Sequence, residues 1–111
     1  MRKAVVYYKD IPAGMLTEVE EDEMYRFQYI PSYLSRSDAH AISLSLPLTD
    51  VPYEREILFP FFDGLIPEGW LLDVAIRNRD ISVLDRMSLL LLCCRDCIGA
   101  VSVIETEVDY V

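Results

Sequence analysis

Met24-Tyr25-Arg26-Phe27-Gln28-Tyr29-Ile30 is the stretch on which the fold turns. Tyr25, Phe27 and Tyr29 recur at every second position, with Met24, Arg26, Gln28 and Ile30 between them. Period two belongs to extended backbone, whose successive side chains leave opposite faces. An aromatic face of this kind requires a core to bury it. Upstream, Ala4 to Tyr8 is β-branched and aromatic, and Asp10-Ile11-Pro12-Ala13-Gly14 has the chemistry of a turn. Met15 to Val19 is a second apolar run, closed by Glu20-Glu21-Asp22-Glu23. The acidic cluster Glu18 to Glu23 lacks the glycine and ligand spacing of a calcium loop and reads as a solvated turn. These residues predict an antiparallel meander of three strands with its aromatic face turned inward.

Downstream, Pro31-Ser32-Tyr33-Leu34-Ser35 can open a single helical turn, with Pro31 at the first helical position. Ala41 to Leu46 alternates Ile42, Leu44 and Leu46 against Ser43 and Ser45, which predicts a strand stopped by Pro47. Thr49 to Glu56 is polar and turn-like, and Ile57 to Phe62 is the densest aromatic cluster. Pro67 can start a helix reaching about Asn78, with Glu68 in its first turn and Arg77 and Arg79 near its end. Ser82 and Asp85 form a capping-box-like start for a helix over Val83 to Cys94. Gly99 breaks that pattern, Ala100 to Ile104 reads as a last strand, and Glu105 to Val111 as a frayed acidic tail. The expectation is a single small α+β domain over residues 1–111. It has an antiparallel sheet or partly open barrel of about five strands, with two to three helices in the C-terminal half.

Composition narrows the function. The chain has 111 residues, 19 acidic against 10 basic, for a net charge of −9. Such a surface repels phosphate, so no direct nucleic-acid binding is expected, and a basic protein surface suits it better. The longest apolar run, Leu89 to Cys94, falls far short of the ~20 residues of a membrane helix, and Met1 to Asp10 lacks a signal-peptide core. Cys93, Cys94 and Cys97 crowd together and make no disulfide framework, so a cytoplasmic location with reduced thiols is expected. Cys94-Arg95-Asp96-Cys97 stands alone, whereas a structural zinc site takes four ligands. The pair also falls at the end of a predicted helix, where the dipole does not activate a thiol. His40, the one histidine, has no nucleophile signature beside it and reads as a strand-edge residue. The four glycines are scattered, so no phosphate loop exists. No catalytic residue, metal site or cofactor is expected.

Trp70 is singled out by periodicity. On a helix from Pro67, Leu71, Leu72, Ala75 and Ile76 form the apolar stripe, and Trp70 lies nearly opposite, with Asp73 and Arg77. If the stripe faces the core, Trp70 faces solvent or a partner, and tryptophan is a frequent interface anchor. The alternative is that irregular helix-start geometry folds Trp70 back onto Phe61 or Phe62.

Three motifs then fall in order: Ser43-Leu44-Ser45-Leu46-Pro47-Leu48, Phe61-Phe62-Asp63-Gly64-Leu65-Ile66-Pro67-Glu68-Gly69, and Arg95-Asp96-Cys97-Ile98-Gly99-Ala100-Val101. With the opening strands and Tyr29-Ile30-Pro31-Ser32-Tyr33-Leu34, they resemble the amino-terminal domain of HipA-family serine/threonine kinases, bacterial toxin–antitoxin proteins, over residues 2–105. Gly64 stands where the family often has Asn, and Cys94 where a Gly is usual. HipA kinases continue into a catalytic domain with a phosphate-binding loop, and this sequence ends at Val111 before any of it. It therefore resembles the small HipS-type protein of split, three-gene hip systems. That resemblance implies an antitoxin that binds a HipA/HipT-like kinase, with a helix-turn-helix HipB-like protein as a further partner of the complex. The candidate contact is Glu68, Gly69, Trp70, Asp73 and Arg77. The other reading it leaves open is a structural subunit that completes a split kinase and supports its activity.

Overall fold

The aromatic alternation is a strand in the computed structural model, which describes residues 2–20, 24–66, 86–93 and 100–107. Five strands form one open antiparallel sheet: β1 (Lys3–Tyr8), β2 (Ile11–Glu20), β3 (Met24–Tyr29), β4 (Tyr53–Arg55) and β5 (Val101–Glu105), in the order β4-β3-β2-β1-β5. Among the described residues three short helices accompany it: α1 (Pro31–Leu34), α2 (Pro60–Asp63) and α3 (Arg86–Cys93). The small α+β domain expected from the sequence is what forms. No helix among the described residues is long and apolar enough to cross a membrane.

Register explains which side chains meet. Ala4 opposes Leu16, Leu16 opposes Phe27, and Phe27 opposes Tyr53, so these residues share one face. Val6, Tyr29 and Val103 lie on the same face, and Tyr25, Phe27 and Tyr29 are all buried there, as their spacing predicts. Phe27 is the hub. Its ring centroid lies 4.9 Å from Tyr29 and 5.5 Å from Phe62 of α2, which in turn contacts Phe61 at 5.2 Å and Phe59 at 6.1 Å. These tilted and edge-on arrangements suit aromatic quadrupoles. Met87, Leu89 and Leu90 bury the inner side of α3 in the same core. The opposite face is not bare, for the paired residues Val5 and Met15 are buried there.

Several expectations change. Asp10 to Gly14 is not a turn: the chain reverses at Lys9 and Asp10, whose φ values of 51° and 66° match a two-residue hairpin, and β2 begins at Ile11. Pro12 and Gly14 are absorbed by a register shift between Val6 and Tyr7, where a bulge tolerates a missing ladder donor. Thr49 to Glu56 is not all turn either, since Tyr53–Arg55 adds to the edge of β3. Ala41 to Leu46 is no strand; it contains one isolated bridge, Ser43 to Leu46. Glu18 is not solvated but buried on the core face, opposite Tyr25. At the far end the tail begins later than expected. Glu105 belongs to β5, and the Thr106 amide donates to the Lys3 carbonyl at 2.9 Å.

Candidate partner-binding surface

The sequence-derived contact set, Glu68, Gly69, Trp70, Asp73 and Arg77, lies outside the described residues, as do Cys94 and Cys97. The structure does describe the chain just before that set. After α2 the Leu65 amide bonds the Phe62 carbonyl at 3.1 Å and the Ile66 amide bonds the Asp63 carbonyl at 3.2 Å. Ile66 is itself buried, so the chain reaches residue 67 from a point anchored in the core.

A second feature was not anticipated. Between α1 and β4 the chain makes a long excursion whose backbone is held by tyrosine hydroxyls. The Tyr29 hydroxyl donates to the Leu46 carbonyl and accepts the Ile42 amide at 3.1 Å. The Tyr33 hydroxyl donates to the His40 carbonyl at 2.6 Å and accepts the His40 amide at 3.0 Å. The Tyr53 hydroxyl donates to the Pro47 carbonyl at 2.8 Å. Tyr29 and Tyr33 are stacked, with interplanar angle 9° and centroids 6.2 Å apart, so the two clamps support each other. A loop without a sheet partner must satisfy its polar backbone elsewhere, and phenol groups do so here.

Within these clamps the chain reverses over Ser43 to Leu46. The Leu46 amide bonds the Ser43 carbonyl at 3.1 Å, and the Ser43 hydroxyl takes the Ser45 amide at 3.2 Å. The reversal explains why the expected alternation fails. Ile42 and Leu46 are buried as their spacing suggests, but Leu44 is wholly exposed at 102 %. Serine side chains bonding nearby backbone, followed by Pro47, are a turn signal that the apolar alternation masks. His40 is correspondingly no strand-edge residue; it is exposed in the loop and serves through its backbone, with its ring 6.3 Å from that of Tyr8.

Burial pushes the Tyr29 phenol up from 10.0 to about 12, against a smaller opposite effect of the Ile42 amide. The phenol therefore stays neutral in the folded protein across the range where an unfolded chain ionises. Stability from this group is complete below pH 10 and is lost as pH rises toward 12. Tyr29→Phe is expected to cost about 1–2 kcal/mol at pH 7, because two buried backbone groups lose their partner. The same variant is expected to flatten the decline of stability between pH 10 and 12, which urea melts across that range would show.

The family model of the HipA N-terminal domain matches residues 4–104. An uncharacterized protein of Haemophilus influenzae is 33 % identical over 88 residues, covering 79 % of each chain. Among solved structures, the N-terminal domain of HipA toxin superposes with a TM-score of 0.74 at 28 % identity, over 98 % of this chain and 96 % of that one. The chain therefore belongs to the HipA N-terminal domain family.

Proposed function

We propose that this protein is a non-catalytic toxin–antitoxin component that acts in the cytoplasm by binding a separate HipA-like serine/threonine kinase and neutralising it. The observation that carries this reading is the family match over residues 4–104, to the amino-terminal domain of HipA and not to its catalytic part. A net charge of −9 favours a partner with a basic face, raising association rate and salt dependence more than affinity. Trp70, with Glu68, Gly69, Asp73 and Arg77, is the candidate anchor on the segment that follows Ile66. A HipB-like DNA-binding protein completes the proposed assembly.

The test is bacterial growth with the HipA-like kinase expressed alone or together with this chain. Arrest by the kinase alone, relieved by the chain, is the expected result. Arrest only when both are present would make the chain an activating subunit. Trp70→Ala is expected to leave the circular dichroism spectrum unchanged and to weaken kinase binding by about 2 kcal/mol, or roughly thirtyfold. An unfolded Trp70→Ala protein would instead assign the indole to the core.

A further inference from the structure

We propose that the tyrosine-clamped loop, led by Leu44, is a second docking surface for the same kinase, received by an apolar pocket rimmed with Lys and Arg side chains. The inference rests on the proposed function and adds a contact separate in sequence from the Trp70 segment. Leu44 exposes its whole side chain, and Leu48 and Val51 of the same loop are exposed as well, Val51 to 63 %. A scattered exposed leucine needs no explanation, but here the backbone that presents it is fixed. Tyr29, Tyr33 and Tyr53 each hold a carbonyl of this loop, at Leu46, His40 and Pro47. Fixing the loop in advance removes most of the ordering cost that a flexible loop meets on binding.

The charges choose the occupant. From Ala41 to Ile57 the acidic residues are Asp50, Glu54 and Glu56, and the basic one is Arg55. Glu54 is matched by Arg26 at 3.2 Å, whereas Asp50 and Glu56 are exposed. Arg55 lies over the Phe59 ring, 5.8 Å from its centroid. An exposed apolar tip, followed in the chain by the exposed acidic residues Asp50 and Glu56 and carried on a chain of net charge −9, complements an apolar pocket with a basic border. A second copy of this chain would bring like charges together.

The experiment is calorimetric titration of the purified HipA-like kinase with the wild-type chain, Leu44→Ala and Leu44→Asp, at low and high salt, alongside thermal melts of each variant. Leu44→Asp is expected to weaken binding about thirtyfold and Leu44→Ala about tenfold, with melting temperatures within about 2 °C of wild type because the side chain contacts only water. Wild-type affinity is expected to fall as salt rises. Wild-type affinity in Leu44→Asp would overturn this surface and leave the proposed function standing. No binding by the wild-type chain would overturn both. A large drop in melting temperature for Leu44→Ala would make Leu44 structural and overturn the surface, and salt-independent binding would overturn its basic rim.

Discussion

Arg2→Met is expected to destabilise the domain by about 3 kcal/mol and to lower its melting temperature by about 15 °C at neutral pH. The Glu18 side chain is 1 % exposed, and its two oxygens receive Arg2 Nε at 2.8 Å and Nη2 at 2.7 Å. This is the forked, charge-assisted geometry that a carboxylate accepts best from arginine. The third guanidinium nitrogen, Nη1, donates to the Ser88 hydroxyl on α3. One side chain, just ahead of β1, therefore joins β2 to α3. Methionine keeps the apolar stem but leaves a carboxylate buried without its cation, and that stranded charge is the source of the cost. The double variant Arg2→Met/Glu18→Leu is expected to recover most of the loss, since a well-packed apolar pair often matches a buried ion pair. Calorimetry on the three variants tests this. A single variant as stable as wild type would show that the carboxylate finds other relief.

Gly14→Ala is expected to cost a similar amount, about 2–3 kcal/mol, for a purely steric reason. A Cβ at position 14 would stand 2.5 Å from Phe27 Cε1, 2.6 Å from Phe27 Cζ and 3.0 Å from the Gln28 carbonyl oxygen. Phe27 cannot yield easily: it is fully buried, with Tyr29 and Phe62 against it. The glycine is the space into which the hub ring fits. Phe27→Leu in the Gly14→Ala background is therefore expected to destabilise less than the two single effects added together, which urea melts would measure. Strict additivity would show that the ring and the new methyl do not meet.

What was legible in the sequence was whatever depends on neighbours along the chain. The alternation of Tyr25, Phe27 and Tyr29 defined β3 and its buried face, and Ala4 to Tyr8 and Ala100 to Ile104 marked strands that form nearly as expected. What failed depends on distant partners. Pro12, Ala13 and Gly14 carry turn chemistry, yet β1 and β3 hold them extended, with the Ala13 carbonyl taking the Ile30 amide at 2.8 Å. Glu18 sits in an acidic run and reads as solvated because its cation, Arg2, is sixteen positions earlier in the chain. Leu44 keeps perfect strand spacing in a segment that tyrosine hydroxyls fold into a turn. Of the candidate site, the sequence supplied Trp70 and its neighbours, which lie outside the described residues, whereas the clamped loop read as a strand over Ala41 to Leu46.

The place of β1 in the sheet has a consequence for how the protein is made. β1 is made before both of the strands that flank it, β2 on one side and β5 on the other. β2 follows at once through a tight turn, but the pairing of Val6 with Val103 spans nearly the whole chain. Until translation delivers β5, one flank of β1 presents unpaired amides and carbonyls beside Val5 and Val6. Such an edge invites pairing with another nascent chain, and its closure must wait for the slowest, most distant contact in the fold. The interval between the synthesis of β1 and that of β5 is when this sheet is most exposed to misassembly.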